Sequence, residues 1–376
     1  MKNRILKIFT FLIVLTYLSC GKKENKETAS SGDKKNTTIG FIYVGAKDDY
    51  GYNQAHSEGA AALKKIPGIT VYEEENVPET IDVQKTMESM INLDHSTLIF
   101  PTSFGYYSPH VLEMAKKYPE VTFMHCGGLY DEKKDPTNVG SYFGYIDEAV
   151  YISGIVAGYT SKTKKLGYIA AKPIPQVLRN INAFTLGARS VDPSITVTVI
   201  FTGDWFLPIK EAEATNSLAD KGVDVITGHV DSPKVLIETA EKRGIYSVGY
   251  HTDQSVLAPK GFLTGAMWNW SKVYTDFVTA HLKGEKIGGL HRGGLKEEIV
   301  KLAPFGPAVS KEAKTKALEV IKDFMDEDGF SIFKGPIKNN KGGIIIDKGV
   351  VLKQQDPILE SMNYLVEGVV GDVPTK

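Results

Sequence analysis

The stretch GFIYVGAKDDYGYNQAHSEGAAALKK, residues 40–65, places Asp48, Asp49, Tyr50 and Tyr52 in the turn between an apolar strand and a helix that opens near Asn53. A chain that held phosphate at such a turn would carry glycines there, leaving backbone N–H groups and the helix N-terminus open to the anion. Carboxylates repel phosphate. They accept instead from ring N–H groups and exocyclic amines, and a tyrosine beside them offers a face for stacking. The chemistry suits a flat, nitrogen-rich ring.

The same mixture recurs further along the chain. Ser103, Phe104, Tyr106 and Tyr107 follow one predicted strand, and Trp205 and Phe206 follow another. Trp268 and Trp270 share a short loop, and the polar residues Asn53, His229, Asp231, Ser232, His251, Asp253 and Asn269 stand beside these aromatics. Each has a structural alternative: a loop aromatic tucked into its own domain, or, for Asp231, the N-cap of a helix beginning near Pro233. Their collection at strand ends favours a stacking slot. Catalytic patterns are missing: there is no G-x-S-x-G elbow, H-E-x-x-H helix, Walker A loop or G-x-G-x-x-G turn. His56, His110, His125, His229 and His251 lack metal-ligand spacing. A set of Ser232, His251 and Asp253 is conceivable as a triad, but nothing in its spacing demands one.

Positioning these residues falls to alternating short apolar runs and longer amphipathic segments. Strands are predicted at 38–44, 69–73, 98–101, 122–126, 165–170, 196–201, 225–227 and 246–249. Helices are predicted at 54–65, 82–93, 109–117, 147–161 (capped by Asp147), 175–190, 208–221 and 232–243. This alternation makes an α/β protein with parallel, doubly wound sheets, four βα units in each of two. Beyond residue 260 the pattern loosens to a helix at 271–283, an extended return, a helix at 311–325 and short strands in a glycine-rich tail. Ligands of open α/β sheets bind beyond the carboxyl ends of the strands. Two facing sheets would therefore form a cleft lined by the loops that hold the aromatics.

The ends and the composition bound the setting. Lys2, Arg4 and Lys7 precede an apolar run from Ile8 to Leu15 that is too short to span a bilayer, the pattern of an export signal over 1–19. Ser19-Cys20 resembles a lipobox, with Tyr17 where leucine is usual, so Cys20 is expected to carry lipid; an ordinary signal peptide is the alternative. Residues 20–36, rich in lysine and without an apolar period, suit a disordered tether. The chain holds 44 Lys+Arg against 45 Asp+Glu, which leaves no basic excess for nucleic acid. Cys126 is the one other cysteine, which excludes a disulfide within the mature chain and a cysteine metal cluster.

Several motifs together resemble the basic-membrane-protein family of ABC-transporter substrate-binding lipoproteins, which includes purine nucleoside receptors. They are DDYGYNQAHSEG, SFGY, EAVYISGIVAG, GYIAAKPIPQVLRNINAFTLGARSVDP, DWFLPIKEAEAT and GYHTDQSVLAP. The resemblance implies a type I periplasmic-binding-protein fold of two Rossmann-like lobes joined by three crossovers. Lobe 1 is expected to comprise 37–145 plus about 255–300, and lobe 2 146–254 plus about 301–376. It implies Tyr52 and Trp205 as the aromatics stacking on a purine from opposite lobes, with Asn53 beside the first. Asp253, or His251 in its place, would match an acid that holds ribose hydroxyls. Asp49, Ser103, Phe104, Tyr106, His229 and Asp231 complete the candidate site. Nucleoside receptors of the family carry a ribose-contacting lysine in the pattern LTS-x-x-K, whereas this chain has LTGAMWNW with Trp268, which resembles binders of free base such as adenine.

The resulting expectation is a monomeric, lipid-anchored protein that delivers a purine base or nucleoside to ABC permease subunits, with no cofactor, no metal and no enzymatic activity. A sensing or adhesion lipoprotein on the same fold is the alternative, and a nucleoside hydrolase a more distant one.

Overall fold

The structure is a computed structural model that describes residues 36–326 and 329–374. The expected signal, tether and Cys20 lie outside the described residues. Fifteen strands and ten α-helices occur among those described. The first sheet holds β1 (Thr37–Ile42), β2 (Ile69–Glu74), β3 (Leu98–Pro101), β4 (Thr122–Cys126) and β5 (Val139–Gly144). In the second are β6 (Lys165–Ala170), β7 (Thr196–Phe201), β8 (Val225–His229), β9 (Tyr246–His251) and β10 (Phe262–Trp268). Later segments complete both: β11 (Gly289–Gly293) joins the first sheet, β12 (Val300–Leu302) and β15 (Val369–Val370) the second, and β13 (Ile337–Lys338) pairs with β14 (Ile344–Ile346).

The strand orders are β2-β1-β3-β4-β5-β11 and β15-β7-β6-β8-β9-β10-β12. Every pairing within these two sheets is parallel except β10 with β12. Parallel strands are covered on both faces, which is why β3, β8 and β10 are buried along their whole length. The covering helices are α1 (Tyr52–Leu63), α2 (Ile81–Asn92), α3 (Leu112–Lys117), α4 (Asp147–Thr160) and α5 (Pro175–Val191), followed by α6 (Pro208–Asp220), α7 (Lys234–Arg243), α8 (Trp270–Leu282), α9 (Lys311–Met325) and α10 (Pro357–Glu360).

Local chemistry explains the boundaries. Thr80 caps α2 by accepting from the Asp82 N–H. Gly222 and Gly244, at φ +84° and +68°, take the left-handed conformation that ends α6 and α7. In α4 and α5 a Cβ on Gly154 or Gly187 would overlap the opposing helix backbone, so these glycines set how closely the two helices pack.

Three differences from the sequence-based expectation affect the site. Asp147 is not a cap: Ile146 precedes α4 without a capping side chain, and Asp147 is buried in an ion pair with Arg179 at 3.0 Å. β10 pairs with β9, so residues up to Trp268 belong to the second sheet, not to lobe 1 from about 255. Glycines within VGSYFG and FLTGAMW had masked β5 and β10. The helix predicted over 109–117 begins regular α geometry only at Leu112, because Ser108 is extended just before Pro109. The chain thus passes between the sheets three times, after β5, after β10 and between β11 and β12.

Candidate functional site

The carboxyl ends of β1, β3 and β4 face those of β8, β9 and β10 across a pocket of about 680 Å³, its solvent-open mouth included. Of the candidates, Tyr52, Ser103, Phe104, Trp205, His229, Asp231 and Trp268 line it, together with His251.

Asp231 joins the two halves. Its N–H donates to the Trp205 carbonyl at 2.8 Å, and its own carbonyl accepts from the Tyr52 N–H at 2.8 Å. Its carboxylate, half-buried and lining the pocket, makes no hydrogen bond to any described residue. It does not cap α7, which Pro233 precedes without a side-chain cap. Burial, with the carboxylates of Asp49, Glu79 and Asp204 adding to it, raises its pKa to about 7.

The aromatics are held from behind. Tyr52 donates its hydroxyl to the Thr102 carbonyl and meets His56 and His251 edge-on, at 4.6 and 5.5 Å between ring centroids. Trp205 is fixed by Asp204, which accepts from its backbone N–H at 2.9 Å and pairs with Lys172, whose Nζ lies 5.6 Å from the indole centroid.

The histidines present neutral rings. His251 accepts from Trp268 Nε1 at Nδ1 (2.9 Å) and donates from Nε2 to the Val230 carbonyl (3.1 Å). Both nitrogens are therefore used within the protein, and burial with the nearby His229 holds its pKa well below the ordinary value. Its φ of +79° is a strained conformation for a non-glycine residue, of the kind that gathers at functional sites. His229 contacts Asn180 through Nδ1 at 3.0 Å, and burial lowers its pKa to about 3. Trp268 stacks on Trp270 at 4.7 Å and 13°, so its indole is a packed wall of the pocket.

Four candidates do not line the pocket. Asp49 caps the start of α1, accepting from the N–H groups of Gly51, Asn53 and Gln54 and from the Asn53 amide, so its acceptors are consumed. Asn53 also accepts from the Gly45 N–H and lies buried behind the loop. Tyr106 is fully buried, its hydroxyl donating to the Val77 carbonyl. Asp253 accepts from the Ser255 N–H in a local turn; of the two alternatives at this point, it is His251 that reaches the pocket.

Residues the sequence reading missed complete the lining. Glu79 accepts from Ser103 Oγ and from the Gly105 N–H at 2.7 Å. Gln176 enters from the first turn of α5, and Cys126 and Gly127 from the end of β4, where a strand-end position was already legible. Burial pushes the Cys126 thiol up to about 12, so it is a neutral wall atom. Among the described residues no group of three or more His, Cys, Asp or Glu is placed to hold a metal ion.

A paired-sheet cleft with unspent acceptors and no nucleophile–base pair describes a receptor for a small solute. Residues 36–331 match the family model for Bmp, the PnrA-like ABC transporter substrate-binding proteins. The chain belongs to this family. It is a solute-binding protein, not an enzyme. It is 36% identical over 338 residues to a purine-binding protein of Brucella abortus, covering 89% of this chain and 93% of that one. It is 29% identical over 361 residues to a putative ABC transporter glucose-binding protein of Haloferax volcanii, covering 94% and 86%. Among solved structures, an ABC transporter solute-binding protein from Aeropyrum pernix shares the fold, with a TM-score of 0.67 at 16% identity over 86% of this chain and 97% of that one. As in the family at large, the ligand would be passed to permease components, and no helix among the described residues is long and apolar enough to cross a membrane.

Proposed function

We propose that this binding protein takes a purine ring into the cleft, between Tyr52 after β1 and Trp205 after β7, and delivers it to an ABC importer. The observation that carries the reading is Asp231: one residue ties both aromatic positions through its backbone and leaves its carboxylate without a protein donor. A purine supplies what such a group lacks, N–H donors on the edge of a flat ring that aromatic side chains can stack on. Phosphate would meet Asp231 and Glu79 and no cation among the pocket-lining residues. The name of the Brucella abortus relative supports the same ligand class.

Trp268 closes the side of the slot on which nucleoside receptors of the family are expected to carry lysine, which favours a ring-sized space around the base. Lipidation of Cys20 would hold the protein at a membrane, with residues 20–36 as the tether. Native mass spectrometry of the purified protein tests the assignment: a copurifying purine is expected, and a copurifying hexose, with purines failing to bind in calorimetry, would refute it.

A further inference from the structure

A second chamber lies outside the cleft, between α8 and the chain on either side of the crossing from β11 to β12. It measures about 920 Å³, its solvent-open mouth included. Its apolar surface comes from Trp270, Val273 and Phe277 on α8, Tyr142 on β5, Leu290 on β11 and Ile299 in the crossing. None of the residues lining it lines the purine slot. The partition is the stacked pair of Trp268 and Trp270, the first lining the slot and the second the chamber.

Each polar side chain of the chamber but one has a protein partner. Lys272 pairs with Asp276 at 2.6 Å, and Glu297 accepts from the Gly294 N–H at 2.7 Å. His291 donates from Nε2 to the Ile287 carbonyl at 2.9 Å, and the Tyr142 hydroxyl lies 2.8 Å from that of Tyr274. Arg292 donates from Nη2 to the Gly128 carbonyl at 2.9 Å. Its Nη1 has no acceptor, but it is packed so closely on Gly128 that a Cβ there would overlap it. Trp270 is the exception: the residue is buried, and its Nε1 meets no acceptor among the described residues. A buried N–H without a partner is costly, and such groups in folded proteins call for an explanation.

An indole can only donate, so the missing group is an acceptor. Two cations, Lys272 and Arg292, stand against two carboxylates, Asp276 and Glu297, so the lining has no net charge for an ion to neutralise. Rings and aliphatic side chains make the remaining wall, which suits a flat apolar body. We propose that this chamber is a second small-molecule site, which takes a neutral ring compound whose carbonyl-type oxygen accepts from the Trp270 indole N–H. It is opposite in polarity to the slot beyond the partition, where Asp231 and Glu79 present acceptors. Its occupant would touch the chain where it passes between the sheets, after β10 and again between β11 and β12.

The chain has three tryptophans, so a proton–nitrogen correlation spectrum of the labelled protein shows one indole N–H signal for each of Trp205, Trp268 and Trp270. Trp205→Phe, Trp268→Phe and Trp270→Phe assign them. Indanone, a fused ring with one carbonyl, is the probe, and indane, the same rings without it, the control. Indanone is expected to move the Trp270 signal downfield in a saturable titration and to leave the Trp205 signal in place. Indane should bind about three- to tenfold more weakly, the worth of one hydrogen bond, and should not move the Trp270 signal downfield. Leu290→Glu, at a position 51% exposed, should weaken indanone binding several-fold while adenine affinity, read by calorimetry, stays unchanged. A Trp270 signal that stays fixed throughout the titration, or a Trp205 signal that moves in its place, overturns the site. Indane binding as tightly as indanone overturns the acceptor that defines its ligand.

Discussion

Replacing Asp231 by asparagine separates its two contributions, because the backbone that ties Trp205 to Tyr52 stays and the charge goes. A ligand N–H donated to the carboxylate favours its ionised form, so binding lowers a pKa that burial has raised to about 7 and expels a proton as it does so. Purine affinity should therefore be full above pH 7 and weaken as pH falls through that value, by up to about tenfold per pH unit. Asp231→Asn should flatten the profile; calorimetry between pH 8 and 5 measures both, and a flat wild-type profile would remove Asp231 from ligand recognition. Tyr52→Ala and Trp205→Ala should each cost about 1–3 kcal/mol of binding, the scale of stacking on an aromatic. Trp268→Ala, which empties a packed wall only 4% exposed, should cost about 3–5 kcal/mol of stability, read by denaturant unfolding. Tyr52, Trp205 and Asp231 were legible because strand-end loops face the cleft in any such fold. Asp49, Asn53 and Asp253 were misplaced because residue type does not say whether neighbouring N–H groups have already taken the acceptors. Glu79 and Gln176 gave no signal, since an isolated polar residue near a helix start usually serves the helix.

At the scale of elements, the loop before α1 is the part that meets the other side of the cleft. Besides the Tyr52–Asp231 bond, Ser232 donates to the Asp49 carbonyl, and Gln254 donates to the Tyr50 carbonyl at 2.6 Å. A Cβ on Gly51 would overlap the Asp231 carbonyl oxygen. Gly51→Ala should therefore hold the two sides apart, weakening purine binding while leaving the ligand-free melting temperature nearly unchanged. Small-angle scattering with saturating purine provides the check: the variant should keep a larger radius of gyration than wild type, and an equal one would show that the loop yields. Apart from β5, the order of strands and helices was readable up to about residue 250, because apolar runs and amphipathic periods alternate there. Beyond that point it was not, because β11, β12 and β15 are short and owe their existence to partners far away in the chain.

At the scale of the whole molecule, two sheets joined by three chain crossings suit hinge closure around a solute. If Cys20 carries lipid, Cys20→Ser should release the protein from membranes without changing purine affinity, because the residues that line the pocket all lie between Val44 and Trp268; fractionation with and without detergent decides it. Neither sheet is assembled from one continuous stretch of chain. β5 finds its outer neighbour when Gly289 pairs with Gly140, and β7 gains its own when Val369 pairs with Val197. Until those late segments arrive, both strands keep a bare, parallel-pairing edge of the kind that invites association between chains. Loop-closure entropy over such separations slows folding. A nascent chain halted before residue 289 would be a sticky intermediate rather than half a receptor, and this molecule would depend on holdase chaperones for as long as its last strands remain unsynthesised.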